Sequence, residues 1–338
     1  MTRLISLAAT LLVVHAGLVF ADTTQPPAPP PADKPSASRS QPLAEVTITA
    51  RKFERRTLEN VIIPKFVQSH GFPSPGINQL GRWRDAVCPR VSGLQPAFNQ
   101  FVVRRIAAVA QSVGAPAKPI GTACRVNVEI VFTPQPQALL DRIAKVYPTL
   151  LGSSRTKADT TFAHPVQSWY LTGTRALNGY NPPVIGLGAS PPPTADNHVD
   201  ASASLPLSYG LQVDPAYGNG TTATGLAGSR LGKGLESEFL HVFAIVDSRK
   251  VEQASLLAVS DYLAMVSLTR MSSLDICSEL PSIIDLLSTG CGSRDRPTGI
   301  TVADTAFLKS LYSSDLAHNI NIERGDMHDR MVTTILGH

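Results

Sequence analysis

Histidine is the residue type that most often reveals metal or acid–base chemistry, and the chain has eight histidines. No two of them are four positions apart, and the H-E-x-x-H pattern that places two zinc ligands on one helical face does not occur. The sequence also has neither a G-x-S-x-G serine elbow nor a P-loop. We therefore predict no metal and no cofactor, and we favour a protein without enzymatic activity.

Acidic and histidine side chains in the last third of the sequence are the best remaining candidates for catalysis. Glu236 and Glu238 alternate at the start of a predicted strand, so both carboxylates would share one face and could act as acid and base. His241 follows in the same strand, although a strand histidine is more often structural than a ligand. An unorthodox hydrolase site would use Glu238, His241, Asp247 and Asp261, and a secreted, peptidase-like hydrolase is our alternative interpretation.

Hydrophobic periodicity predicts the elements that would position these residues. Residues 98–113 place their apolar side chains on one helical face, and Gly114 follows where glycine commonly ends a helix. Residues 238–247 are typical of a buried strand and residues 251–271 of the helix after it, so the mixture predicts an α+β fold. The other predicted elements are strands over residues 45–52, 124–132, 167–172 and near 208–213, and helices over residues 138–151 and 301–312, the last opening with the cap-like Thr301-Val302-Ala303-Asp304.

Three segments follow one another from the N-terminus. Residues 1–21 contain Arg3, an apolar run and a small residue at Ala21, which is the pattern of a cleavable secretory signal peptide. Residues 22–44 are rich in proline and poor in residues that can be buried, so we expect a disordered linker. Residues 45–338 are predicted to form a single α+β domain, in which residues 152–234 form a long loop-rich insert.

Composition limits the class of protein and its partners. With 43% hydrophobic residues the chain can bury a core, and no stretch after the signal reaches the roughly 18 apolar residues of a membrane-spanning helix. We therefore expect no transmembrane anchor after signal cleavage. The net charge is +4 without long runs of either sign, so we expect no nucleic-acid partner. The predicted location is the bacterial periplasm or the extracellular space, and the predicted partner is an envelope protein or a surface ligand.

Four cysteines remain in the exported chain, and an even number in an oxidising compartment indicates disulfides. Three pairings of four cysteines are possible. We favour Cys88 with Cys124 and Cys277 with Cys291, because each pair is close in sequence and flanked by Pro or Gly turn residues. A cysteine metal site is disfavoured, since the chain has no C-x-x-C spacing.

The last third of the chain also carries a resemblance in the order of its motifs. A strand ending in Ile245-Val246-Asp247 precedes Asp261-Tyr262-Leu263-Ala264-Met265, then Leu280-Pro281-Ser282-Ile283-Ile284-Asp285, then Ile300-Thr301-Val302-Ala303-Asp304 with Phe307-Leu308-Lys309-Ser310-Leu311-Tyr312. This order resembles the second half of a metzincin-type zinc peptidase: an edge strand, an active-site helix, a P-S-I-M-N-like turn and a closing helix like L-T-x-x-D-x-x-x-L-x-x-L-Y. The resemblance covers roughly two thirds of the chain and implies a zincin-like fold.

The chain differs from that family at the zinc-binding histidines and at the methionine of the turn. The helix reads SDYLAMVSLTRM where the family has its zinc histidines, and Ile284 stands where the turn has its methionine. The resemblance therefore implies the scaffold and carries over no zinc-ligand position. A shorter second resemblance is that of residues 45–52, EVTITARK, to the segment that opens the plug of TonB-dependent outer-membrane receptors, and it indicates an envelope setting.

These observations favour binding as the function. We expect an exported, non-catalytic interaction protein on a zincin-like scaffold, whose contact surface lies on the loop-rich insert. Aromatic side chains on loops supply contact area at low entropic cost. The candidate contact residues are Trp169, Tyr170, Tyr180 and Tyr217.

Overall fold

The structure is a computed structural model that describes residues 53–74, 77–119, 122–151, 160–176, 235–291, 296–314 and 319–337. All of these residues belong to one compact unit, Lys52–His338. Several predictions fall outside the described residues: the signal peptide, the linker, the strands over residues 45–52 and near 208–213, most of the insert, and the side chains of Tyr180 and Tyr217.

Among the described residues, four strands form one mixed sheet in the order β1-β2-β4-β3. β1 (Pro89–Ser92) pairs in parallel with β2 (Val128–Thr133), and β2 pairs in parallel with β4 (Leu235–Asp247). β3 (Val166–Ala176) pairs antiparallel with β4 and forms the edge beside it. β4 is therefore an inner strand, which corrects the expectation that the strand ending at Asp247 is an edge strand.

Helices connect the strands and cover the sheet, which makes the fold a mixture of α and β elements. In chain order they are α1 (Arg55–Thr57), which continues as a π-helical turn over Leu58–Ile62, α2 (Ile63–His70), α3 (Pro96–Ser112), α4 (Pro136–Val146), α5 (Ser248–Val251), α6 (Leu256–Leu268), α7 (Val302–Ser313) and α8 (Ile320–Leu336). Short 3-10 turns cover Pro148–Leu151 and Ile283–Leu286. α3 makes the crossover from β1 to β2 that a parallel pair requires.

Capping residues set the ends of these helices. The Thr301 side chain accepts a hydrogen bond from the Asp304 amide, and the Asp304 carboxylate accepts one from the Thr301 amide, so the predicted cap of α7 is a complete capping box. Ser255 caps α6, which therefore begins later than the hydrophobic pattern predicts. α3 begins at Pro96 and is followed by Gly114 with a φ of 82°, which confirms that this glycine ends the helix.

The two faces of the sheet pack into separate hydrophobic clusters. Val242, Ala244 and Val246 of β4 belong to the larger cluster, which includes residues of α2, α3, α6, α7 and α8. Phe243 and Ile245 project to the other face and pack in a smaller cluster with residues of α4. Both faces of the sheet are therefore covered, and the alternation follows the two-residue period of a strand.

Both predicted disulfides are present in the structure. Cys88 is bonded to Cys124 and Cys277 to Cys291, with Cα–Cα distances of 6.1 and 5.2 Å. The first bond joins the start of β1 to the segment before β2, and the second closes a loop that contains the Ile283–Leu286 turn. In the chain-entropy model, each such bond contributes about 3–4 kcal/mol to the free energy of unfolding.

Gly93, directly after β1, lies where the backbone of β1 comes very close to that of β2. Its φ is 93°, and a Cβ atom added there would lie 1.9 Å from the carbonyl oxygen of Phe132 in β2. Gly114 has a φ of 82°, but no described atom lies within 4 Å of the corresponding Cβ position.

We expect Gly114→Ala to lower the free energy of unfolding by about 1–2 kcal/mol through backbone strain alone. Gly93→Ala should lose clearly more in urea unfolding, and equal losses would contradict the close approach.

Candidate functional site

Asp261, one of the predicted catalytic residues, lies in α6 and is fully buried. Its carboxylate accepts hydrogen bonds from the Arg105 guanidinium of α3, at 2.5 Å from Nε and 3.0 Å from Nη2. It also accepts one from the Ile300 amide, at 2.9 Å. The hydrogen bond to Asp261 raises the pKa of Arg105. Asp261 therefore joins α3, α6 and the segment before α7, and both of its oxygens are engaged.

Asp247, a second predicted catalytic residue, ends β4 and caps the short helix α5. Its Oδ1 accepts hydrogen bonds from the amide and from Nε of Arg249, both at 3.2 Å. At about 3.3 Å per strand residue, Asp247 also lies roughly 20 Å along β4 from His241. The structure therefore does not bring Asp247 to the other predicted catalytic residues of β4.

Glu236, Glu238 and His241 lie on one face of the sheet, as their spacing predicts for the two glutamates. His241 alternates with Val242 and so projects to the face that also carries Phe243. The register of β3 and β4 shifts just before His241, and Phe239 consequently packs in the larger cluster. Glu236 and Glu238, which alternate with Phe239, stay on the His241 face, and all three side chains are buried.

Glu129 of β2 adds another carboxyl group to this face, and sequence analysis missed it. Its Oε1 lies 3.5 Å from Nη1 of Arg90, while its Oε2 is buried and has no hydrogen-bond partner among the described residues. Burial raises the pKa of Glu129 to about 7, against the opposing effect of Arg90. The signal in the sequence was a single charged residue inside the apolar strand VEIVFT. A carboxyl group that titrates near neutral pH can serve as an acid or a base.

Trp169 and Tyr170, two of the predicted contact residues, lie in β3 and are packed inward. The Trp169 ring is 5% exposed and stacks on Phe243 in the smaller cluster. The Tyr170 hydroxyl donates to the carbonyl oxygens of Val266 and Thr269, at 2.7 and 3.2 Å, and burial raises its pKa to about 12. Both residues lie in the strand predicted over residues 167–172, and the inward packing of their rings corrects the expectation that they form a contact surface on the loops of the insert.

The turn segment of the suggested resemblance forms a buried polar junction. Ser282 caps the 3-10 turn, and its hydroxyl lies 2.7 Å from Oδ1 of Asp304 and 3.1 Å from Nε2 of His70. Burial lowers the pKa of His70 to about 4 and raises the pKa of Asp304. His70 is therefore neutral at pH 7, and the three side chains connect α2, the turn and α7. Ile284 of the same turn is fully buried.

A groove runs between α2 and α8, away from the predicted catalytic and contact residues. Two open cavities of about 330 and 370 Å³ lie along it, and Gln68 and Arg324 line both of them. The first cavity is lined by Lys65, Gln68, Ser69, Phe72, Ser272 and Arg324. The second is lined by Glu59, Asn60, Pro64, Val67, Gln68, Arg324, Gly325 and His328.

Three further observations complete the description of the site. Among the described residues, no three His, Cys, Asp or Glu side chains are grouped so that they could hold a metal ion. No described helix combines the length and the hydrophobicity needed to cross a membrane. Comparison of the chain with protein-family models, with curated proteins and with solved structures found no match.

The variant Arg105→Gln tests the structural role of Asp261. Removing the partner of a fully buried charge costs about 3–5 kcal/mol, and we expect roughly half of that here because the Arg105 side chain is partly exposed. Arg104→Gln, at the exposed neighbouring position of α3, is the matched control. Urea unfolding should show a loss for Arg105→Gln alone. Equal stabilities of the two variants would show that α6 does not depend on this ion pair.

Glu129→Gln should have an effect on stability that depends on pH. The pKa of Glu129, about 7 in the folded protein, lies above its ordinary value of 4.5, so the folded state binds this proton more tightly than the unfolded chain does. The contribution of Glu129 to stability is therefore fully present below pH 4.5 and falls as the pH rises to about 7.

The Gln variant has no such titration, so its stability relative to the wild type should rise by about 3 kcal/mol over that pH interval. Urea unfolding at several pH values measures this change, with Glu252→Gln as an exposed control. A stability difference that stays constant with pH would contradict the burial of an ionisable Glu129.

Proposed function

We propose that the chain is an exported, non-catalytic binding protein on a zincin-like scaffold. The order of elements supports the scaffold: β4 leads into α6, α6 is followed by the 3-10 turn over Ile283–Leu286, and the turn is followed by α7. This is the order of strand, active-site helix, turn and closing helix in the family that the sequence resembles, except that β4 is an inner strand of the sheet and not the edge strand. An antiparallel edge strand, β3, lies beside β4 on the same sheet.

The burial of α6 is the main observation that supports a protein without catalytic activity. Every residue of this helix from Ala258 to Leu268 is buried, so its side chains form core and face no cleft. Its one carboxylate, Asp261, is engaged by Arg105 and by the Ile300 amide. The residues at the family's zinc positions therefore do not fit a zinc ion, and no catalytic step is derived through one.

The two disulfides support the proposal that the protein is exported. Disulfides persist in oxidising compartments such as the bacterial periplasm and the extracellular space. Cys88–Cys124 and Cys277–Cys291 join segments of the same compact unit, and both bonds agree with a signal peptide over residues 1–21. We place the protein in the bacterial envelope or outside the cell, where it would bind an envelope protein or a surface ligand.

A secreted hydrolase is the second candidate function, and the buried carboxyl group of Glu129 is what favours it. Glu129 has a pKa of about 7 and lies opposite Phe243 of β4, two residues from His241 on the same face, whereas Glu236 and Glu238 lie farther along the strand and Glu236 is paired with Arg84. A hydrolase of this kind would lose turnover in Glu129→Gln and would show a bell-shaped dependence of rate on pH.

Zinc content separates the two functions most directly. The chain from Asp22 to His338 would be purified with its disulfides intact, without chelator and without an added His-tag, and its zinc measured by mass spectrometry. We expect far less than one zinc per chain and no turnover of a casein substrate. Near-stoichiometric zinc, or turnover that Glu129→Gln abolishes, would overturn the proposal of a non-catalytic protein.

A further inference from the structure

Arg324 of α8 carries a positive charge that is partly removed from water without an acidic partner. Its Nη2 donates to the carbonyl oxygen of Gly71, at 3.0 Å, and its buried Nε has no hydrogen-bond partner among the described residues. Burial lowers the pKa of Arg324, which is the effect expected when a cation loses water. The ion pairs among the described residues do not include Arg324.

The charge of the neighbouring Glu323 raises the pKa of Arg324 and so opposes the effect of burial, but among the described residues Glu323 forms no ion pair with Arg324. Glu323 lies in the core, where its Oε1 accepts from Nη2 of Arg82 at 3.1 Å and its Oε2 accepts from the Leu80 amide at 2.7 Å. Arg82 already balances its charge. Arg324 is consequently a partly desolvated cation. Glu323, the acidic residue next to it in the sequence, forms its ion pair with Arg82.

A second cation lies on the other wall of the same cavity. Lys65 of α2 lines the first cavity together with Arg324, and its ammonium group contacts only Glu279 at 3.7 Å among the described residues. Both side chains of that pair are well exposed, so the contact contributes little and is easily exchanged. No acidic residue lines this cavity, whereas Glu59 lines the other one. The first cavity is therefore the more electropositive of the two.

An exposed aromatic ring borders the two cations. Phe72 lines the first cavity and is 40% exposed, so part of its ring is accessible from the cavity. The Arg270 guanidinium lies 5.1 Å from the centre of the Phe72 ring and donates to the Pro73 carbonyl, so this ring is held in place. The cavity thus offers charge at one side and flat apolar contact area at the other.

We propose that the first cavity of the groove between α2 and α8 binds an oxyanion, a carboxylate or a phosphate, carried by a ligand with a flat apolar part. Lys65 and Arg324 receive the oxyanion, and Phe72 contacts the apolar part. Arginine and lysine are the side chains that proteins use for carboxylate and phosphate groups. This inference rests on the proposed binding function and gives it a ligand class.

Isothermal titration of the Asp22–His338 chain at low salt tests the proposal with phenyl phosphate, benzoate, inorganic phosphate and phenol as probes. We expect phenyl phosphate or benzoate to bind, inorganic phosphate to bind more weakly, and phenol not to bind. Preference for phenyl phosphate assigns a phosphate ligand, and preference for benzoate assigns a carboxylate ligand. The affinity should fall as salt is added, because the contact is charged.

Three variants locate the binding in the cavity. Lys65→Gln and Arg324→Gln should each weaken binding about tenfold or more, the effect of losing one charge-assisted contact. Arg330→Gln is the matched control, since Arg330 lies on the same helix and pairs with Asp326 at the surface. Lys65 is exposed, so its variant keeps the test valid even if Arg324→Gln unfolds. Unchanged affinity in Lys65→Gln, or phenol binding equal to that of phenyl phosphate, would overturn the site.

The titration and the zinc measurement can fail independently. Near-stoichiometric zinc with oxyanion binding that depends on Lys65 would overturn the non-catalytic proposal and support the site. Absence of zinc with no binding of any probe would overturn the site and leave the scaffold proposal standing.

Discussion

A buried ion pair between Arg82 and Glu323 holds the C-terminal helices against the sheet. Arg82 is 3% exposed and Glu323 1% exposed, and Arg82 also donates to the carbonyl oxygens of Leu311 and Ser314 at the end of α7. On its other side, the Arg82 carbonyl accepts the amide of Phe239 in β4. Burial lowers the pKa of Arg82, and the charge of Glu323 opposes that effect.

The groove between α2 and α8 depends on this pair. Breaking a buried ion pair leaves an uncompensated charge in the core and costs about 3–5 kcal/mol, so the position of α8 is strongly fixed. Glu323 faces the core, and Arg324, one residue later, therefore turns toward α2. The Glu323 carboxylate forms its ion pair with Arg82 and not with Arg324. Arg324 therefore lies at the cavity wall without an ion-pair partner among the described residues.

Local pattern was sufficient to predict β2, β3 and β4, the helices α3, α4, α6 and α7, the two disulfides and the cap of α7, whereas β1, α1, α2 and α5 were not predicted. These features depend on residues near one another in the sequence, such as Thr301 with Asp304. The long-range contacts could not be predicted in this way. Arg82 and Glu323 are 241 residues apart and His70 and Ser282 are 212 apart, and no local spacing marks either pair. Burial also decided the role of Asp261, which the sequence could not distinguish from a catalytic acid.

The inner position of β4 has a consequence for how the chain reaches its fold. β4 is encoded after both of its neighbours, and it pairs Val128 with Val242 on one side and Val166 with Val246 on the other. Until β4 is available, one edge of β2 and the whole of β3 have no partner strand in this sheet, and open strand edges promote aggregation. On the proposed export route, a chain that crosses a membrane from its N-terminus would present β1, β2 and β3 first. Assembly of the sheet would then wait for the last third of the chain, and the destination compartment would have to protect the earlier strands meanwhile.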